Sequence, residues 1–136
     1  MATTTATLTI SSSDLTGDAL SLSTTATLTK AGSGTGLDQT TGVGRKFYAT
    51  QQSDTALIAA ADYTDDKAHK VYIKNTSTSN SEYVTVKIGA TEVGRLYGGD
   101  WLFLPWSADT TTTAADIDID TSDVNMTVEY LVIFEA

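Results

Sequence analysis

The sequence contains no cysteine, a single proline and a single histidine. Without cysteine, the chain has no disulfide bonds, no thiolate catalysis and no cysteine-ligated metal site. The N-terminal segment has neither a basic start nor a long apolar core, and no later stretch is apolar for long enough to cross a bilayer. We therefore expect no signal peptide and no membrane partner. His69 alone cannot assemble a zinc site or an evident catalytic triad, and its polar surroundings predict a surface residue.

Basic residues are missing from both ends of the chain. All 8 lysines and arginines lie between Lys30 and Arg95, and from Leu96 to Ala136 the charged residues are all acidic. The net charge of -9 and this acidic third argue against a nucleic-acid partner, because phosphate binding requires clustered lysine and arginine. We expect a solvated acidic face, which keeps an assembly soluble or meets a basic partner.

What the sequence does contain is a strong signal for β-structure. Threonine, which packs well on pleated surfaces, makes up roughly one residue in five, far above ordinary usage. A chain of 136 residues buries a single core. We predict one domain over residues 1–136, an all-β antiparallel sandwich of jelly-roll type. At most one short helix is expected, over Asp54–Tyr63, although Leu57 and Ile58 there equally fit a strand.

Alternation of apolar and polar residues is clearest from Lys70 to Trp106 and predicts four short strands in a meander. Further strands are expected over 114–120 and 126–134. Two strands, 101–106 and 126–134, are apolar on both faces, which indicates that loops or another subunit cover a second surface. The residues predicted to lie in such an interface are Trp101, Phe103, Trp106, Leu131 and Ile133.

A repeated hexamer marks the N-terminal region. Thr-Thr-Ala-Thr-Leu-Thr occurs at 4–9 and again at 24–29, and we predict either two antiparallel neighbours or an arm and a core strand. The first copy lies in an uncharged stretch without proline or glycine, which is a ready template for pairing with another chain. We therefore predict that residues 1–12 form a docking arm that binds a partner through its main chain, with Thr5, Thr7, Leu8 and Ile10 at the interface.

Alternating carboxylates occur near the C-terminus. Asp116, Asp118 and Asp120 line one face of a predicted strand, and Asp123 follows. Clustered oxygen ligands suit calcium, but Thr121 and Thr127 stand where a calcium loop requires glycine and a bidentate glutamate. An exposed acidic strand that discourages wrong pairing is the favoured interpretation, with calcium as the alternative. No cofactor and no catalytic residue is predicted.

Several aromatic residues allow a different function. Trp101, Trp106, Tyr97 and Tyr72 form a sugar-stacking platform if they share one exposed face, as in a carbohydrate-binding module. Packing in the core and at interfaces is the more common use of large aromatic side chains.

Short β-sheet motifs resemble a known group of proteins. Ile73–Thr76 reads Ile-Lys-Asn-Thr, a hairpin follows, and Leu102–Pro105 reads Leu-Phe-Leu-Pro. This half of the chain resembles small β-rich virion proteins of tailed bacteriophages, including capsid decoration and cement proteins. The resemblance implies a non-enzymatic subunit that binds the capsid exterior in many copies after assembly in the host cytoplasm. Its implied partners are the major capsid protein, other virion proteins and further copies of itself. A tail or fibre component is the alternative within the virion.

Overall fold

The computed structural model describes residues 3–15, 17–109 and 115–136. Residues 1–2 of the predicted arm and Ala114 of the strand predicted over 114–120 lie outside the described residues. The secondary structure of the described part consists of strands and one 3₁₀ turn, Ala60–Asp62. The strands are β1 (Thr5–Ser12), β2 (Leu20–Thr27), β3 (Gln39–Thr40), β4 (Gly44–Tyr48), β5 (Thr55–Ile58), β6 (His69–Asn75), β7 (Tyr83–Ile88), β8 (Thr91–Tyr97), β9 (Trp101–Trp106), β10 (Ile117–Thr121) and β11 (Met126–Phe134).

The strands from β4 to β11 build two antiparallel sheets. The larger sheet has the order β4-β11-β6-β9, and the short β3 also pairs with β11, beyond the region of β11 that pairs with β4. The smaller sheet has the order β5-β10-β7-β8. When β4 is counted as the first strand, the two orders are 1-8-3-6 and 2-7-4-5, which is the connectivity of a jelly roll. The predicted all-β, jelly-roll sandwich is confirmed.

The core lies between the two sheets and follows from the alternation in the sequence. Val71 and Ile73 of β6 are completely buried, whereas the residues that alternate with them, Lys70, Tyr72 and Lys74, are half-buried on the opposite face. In β10, Ile117 and Ile119 enter the core between outward aspartates. The long strands of both sheets therefore contribute an apolar face to a common interior, and this burial is the main source of stability.

The predicted meander is wrong in its pairing, although its four strands exist. Only β7 and β8 form a hairpin, while β6 pairs with β9 in the other sheet. The segment Gly98–Asp100 therefore crosses between sheets instead of turning a hairpin. A Cβ atom on Gly98 would lie 2.3 Å from the carbonyl oxygen of Ser79, so this crossing requires glycine. Sequence alternation identifies strands but carries no information on which strand pairs with which.

The helix predicted over Asp54–Tyr63 is not formed. Asp54 has a φ of 47° in a turn, β5 follows, and helical structure is limited to the 3₁₀ turn. Leu57 and Ile58 are both buried, and β5 pairs with β10. Sheet pairing and burial thus outweigh the helix propensity of an alanine-rich segment. Among the described residues, no helix has the length and apolar character that crossing a membrane requires.

Candidate interaction surface

The two copies of the repeated hexamer pair with each other. β1 and β2 form an antiparallel hairpin in which Thr5 faces Thr27 and Ser12 faces Leu20, so the interpretation as antiparallel neighbours is confirmed. We call this hairpin, residues 5–27, the arm. Within the described residues, neither strand of the arm belongs to one of the two sandwich sheets. Of the arm predicted over residues 1–12, Thr5–Ser12 thus forms one strand of a longer, two-stranded element.

The arm has two chemically different faces, because side chains alternate along each strand. One face carries hydroxyls only, and it includes the predicted residues Thr5 and Thr7. Across the strands, Thr7 Oγ1 lies 2.8 Å from Thr25 Oγ1. The opposite face includes the predicted residues Leu8 and Ile10, and it also carries Ala6, Leu20, Leu22 and Ala26.

The apolar face of the arm is open to solvent towards its tip. Ile10 is 44% exposed and its cross-strand neighbour Leu22 is 46% exposed. Leu20 and Leu22 were not among the predicted interface residues. Their alternation with Ser21 and Ser23 was the available signal. The arm therefore presents an apolar surface to which both of its strands contribute.

The base of the arm is anchored by two leucines. Leu28 and Leu37 are almost fully buried, and the amide of Leu37 donates a 3.0 Å hydrogen bond to the carbonyl of Leu28. The amide of Leu28 in turn donates to the carbonyl of Thr4 at 2.9 Å. Neither leucine is part of the main core cluster between the sheets. The burial of both leucines and these backbone hydrogen bonds thus fix the arm at one end.

The face of the larger sheet that points away from the core is also apolar. We call it the outer face. Leu131, Tyr72 and Phe103 form one row across β11, β6 and β9. Glu129, Lys74 and Trp101 form the next row. Ile133 lies beyond Leu131 on the same face, and Phe47 of β4 pairs with Thr127 there.

Several outer-face aromatics remain accessible. Trp101 is 50% exposed, Phe103 37% and Phe47 60%. Four predicted interface residues, Trp101, Phe103, Leu131 and Ile133, therefore share this face. Phe47 was not predicted, because the short segment around it does not show which of the adjacent aromatics Phe47 and Tyr48 points outwards.

A groove separates the arm from the outer face. It has a volume of about 540 Å³. One wall is the base of the arm, the other is the outer face, and the lining is formed by Ala6, Thr7, Leu8, Thr24, Ala26, Tyr72, Lys74, Trp101 and Phe103. The lining is mostly apolar with a few hydroxyls and one ammonium group.

Trp106 was predicted to lie in the interface, and the structure corrects this. Its side chain is 5% exposed and belongs to the core cluster, and its indole Nε1 donates a 2.8 Å hydrogen bond to the carbonyl of Ala115. The reason is strand alternation: Trp101 and Trp106 are five residues apart and therefore point to opposite faces of β9.

The same alternation divides the predicted sugar platform. Tyr72 and Trp101 lie together, with ring centroids 6.5 Å apart. Tyr97 instead packs against Tyr83 in the smaller sheet, and Trp106 is buried. The joint exposure of both tryptophans, which a carbohydrate-binding module of this design requires, is not met.

His69, predicted to be a surface residue, is only 1% exposed. Its ring lies among Tyr63, Trp106 and Phe134, with centroid distances of 5.4 to 6.3 Å. Neither ring nitrogen makes a hydrogen bond of good geometry. Burial lowers the pKa of His69, and nearby backbone groups of Lys67 and Trp106 offset part of this effect. The prediction failed because His69 begins β6 and its inward register position is not visible from the polar residues around it.

The aspartate ladder is held by a lysine and by backbone amides. Lys87 Nζ lies 2.6 Å from Asp120 Oδ2 and 2.6 Å from Asp54 Oδ1, and these hydrogen bonds raise the pKa of Lys87. The side chain of Asp116 accepts a hydrogen bond from the amide of Ala60, and that of Asp123 accepts one from Val124.

No group of three or more metal-ligating side chains occurs in the described part of the chain. Within the ladder, the carboxyl of Asp118 has a raised pKa. Burial is the largest cause, and the negative charge of Asp116 is the next. Of the four carboxylates considered for calcium, Asp120 is the one that forms an ion pair with Lys87.

No protein-family model matches this sequence, and neither a curated protein nor a solved structure shows significant similarity to it.

Proposed function

We propose that the chain is a non-enzymatic structural subunit of a tailed-phage virion that decorates the outer shell in many copies. The observation that carries the proposal is the combination of an apolar outer sheet face with an exposed arm on one side of a small jelly roll. Large apolar side chains gathered on one face typically mark a protein interaction site. The sequence resemblance to small virion proteins is the reason for proposing a virion as the assembly.

Two features support attachment through these surfaces. The outer face brings Trp101, Phe103 and Phe47 onto one sheet, and aromatic residues are enriched in the buried centre of protein interfaces. The arm extends the same surface with uncharged strands. The jelly roll itself supports the proposal only by analogy, because this fold occurs in viral capsid proteins and also in lectins.

The partners proposed on these grounds are the major capsid protein, other virion proteins and further copies of this chain. The place of assembly follows from the resemblance: the host cytoplasm, with the mature subunit on the capsid exterior. A tail or fibre position is the alternative, since the same surfaces serve a connector equally well.

Quantitative mass spectrometry of purified virions tests the proposal. A decoration subunit is expected at a copy number comparable with that of the major capsid protein. A copy number comparable with that of tail proteins would favour the tail or fibre alternative. Absence of the chain from purified particles overturns both forms of the proposal.

The role of the arm is tested by removing it as a unit. Deletion of residues 2–10 alone would leave β2 without its partner strand. A variant that lacks residues 3–27 is therefore the cleaner test. Because β1 and β2 belong to neither sandwich sheet, this deletion keeps the hydrogen bonds of both sheets. Occupancy on particles is expected to fall sharply, whereas Thr5→Ser, which keeps the strand and its hydroxyl, is expected to leave occupancy unchanged. Full occupancy without the arm would assign attachment to the outer face alone.

A further inference from the structure

The outer face differs in charge from the rest of the molecule. The protein carries a net charge of -9. On the outer face, Lys70 and Lys74 flank Tyr72 on β6, and Arg45 pairs with Glu129 at 2.8 Å. Neither Lys70 nor Lys74 has an ion-pair partner within 4.0 Å among the described residues. The outer face is therefore a locally basic, apolar surface on an acidic protein.

The arm has the complementary properties. Its two strands contain no charged residue, and the connection between them carries Asp14 and Asp18. The apolar face near the tip is formed by Ile10, Leu20 and Leu22. None of these residues lines the groove between the arm and the outer face of the same chain. The arm thus combines an acidic tip with an apolar surface that its own chain leaves open.

The arm is long enough to cross the larger sheet. A strand of eight residues is roughly 26 Å long, and four strands side by side span roughly 19 Å. The accessible surface of the molecule is 7763 Å². A compact monomer of 14.3 kDa is expected to expose roughly 6,800 Å². The molecule therefore exposes more surface than a compact monomer of its mass.

We propose that the arm of one copy packs with its apolar face across the outer face of the next copy. In this arrangement Ile10, Leu20 and Leu22 cover Trp101 and Phe103 of the neighbour, and the acidic tip lies near Lys70 and Lys74. The contact is heterologous, head to tail, so each copy offers one arm and one outer face. This inference does not depend on the virion function, because it concerns the isolated protein.

Sedimentation equilibrium of the purified full chain and of four single variants tests the contact. Leu22→Asp disrupts the apolar face of the arm, and Thr25→Asp is its control on the hydroxyl face of the same strand. Phe103→Asp disrupts the outer face, and Val93→Asp is its control at an exposed position of the smaller sheet. We expect wild type and both controls to associate, and Leu22→Asp and Phe103→Asp to be monomers. Thermal melting confirms that the monomeric variants are folded.

Mixing the two monomeric variants distinguishes head-to-tail from symmetric contact. Leu22→Asp retains an intact outer face, and Phe103→Asp retains an intact arm. A heterologous contact therefore predicts that the mixture forms a one-to-one dimer. A mixture that stays monomeric overturns the proposed pairing of arm and outer face. A wild-type protein that is monomeric at high concentration also overturns it, and if that monomer binds purified shells through its arm, the shell protein is the occupant.

Discussion

Asn75, in the Ile-Lys-Asn-Thr motif, joins the two sheets at one end of the sandwich. Its side chain is completely buried. The amide nitrogen Nδ2 donates to the carbonyls of Leu96 at 3.0 Å and Glu82 at 3.2 Å. The oxygen Oδ1 accepts a hydrogen bond from the amide of Ser77 at 3.0 Å. The Ile-Lys-Asn-Thr motif therefore has a structural role, because its asparagine connects the two sheets.

Asn75→Ala is expected to lower the free energy of unfolding by about 2–3 kcal/mol, since it leaves buried carbonyls without their donor. Urea denaturation measures this change. Asn80→Ala, at an exposed position in the following loop, is the matched control and is expected to have almost no effect. Equal stability of both variants would show that water satisfies the carbonyls in place of Asn75.

The buried ring of His69 gives the fold a dependence on pH. Because its pKa in the folded protein lies below 6.5, the folded state favours the neutral ring. The unfolded chain then binds more protons, so stability is complete above about pH 6.5 and falls as the pH is lowered towards the folded pKa. Lys70 and Glu135 act on this pKa in opposite directions.

His69→Phe removes the titration and keeps an aromatic ring among Tyr63, Trp106 and Phe134. Urea denaturation between pH 5 and pH 7.5 is expected to show a loss of stability for wild type and a flatter profile for the variant. Carboxylates with a lowered pKa, such as those of Asp120 and Glu129, titrate below this pH range and do not contribute to the slope within it. Parallel profiles would contradict a role for His69.

At the scale of the element, β9 separates folding from association. Trp106→Ala empties part of the core and is expected to cost about 3–5 kcal/mol of stability. Trp101→Ala, on the opposite face of the same strand, is expected to cost about 1 kcal/mol or less, because half of the side chain is already in solvent. Thermal melting compares the stability of the two variants. In sedimentation experiments the opposite order is expected, with Trp101→Ala weakening association more than Trp106→Ala. A large loss of stability in Trp101→Ala would mean that the outer face belongs to the folded core.

The ladder on β10 is the second element with a direct test. Since Lys87 already forms ion pairs with Asp120 and Asp54, added calcium is expected to leave the melting temperature unchanged, and so is EDTA. A calcium-dependent increase that Asp118→Asn abolishes would establish the alternative.

The same elements show how far the sequence predicts the structure. Alternation within a strand identifies its two faces, so Trp101 with Phe103 and Leu131 with Ile133 could be predicted as outer pairs. The pairing of distant strands could not, because β6 and β9 are joined by contacts that no local pattern encodes. His69 and Trp106 were misplaced for a related reason: a polar neighbourhood or an aromatic ring does not reveal which side of a strand faces the core.

The whole molecule combines two parts of unequal stability. An isolated two-stranded hairpin is marginally stable in water, whereas the sandwich has two sheets and a common core. The arm is attached through Leu28 and Leu37, outside that core. It is therefore expected to open locally without unfolding of the sandwich.

Amide hydrogen exchange under dilute conditions tests this division. Amides of β1 and β2 are expected to exchange much faster than those of β6 and β10. Trp106→Ala, by destabilising the sandwich, is expected to accelerate exchange in β6 and β10 by roughly a hundredfold or more and to leave the arm unchanged. Acceleration of the arm in parallel would show that it unfolds only with the sandwich. If copies associate through the arm, raising the protein concentration is expected to slow exchange selectively in β1 and β2, since the contact orders them, and Leu22→Asp is expected to abolish that protection.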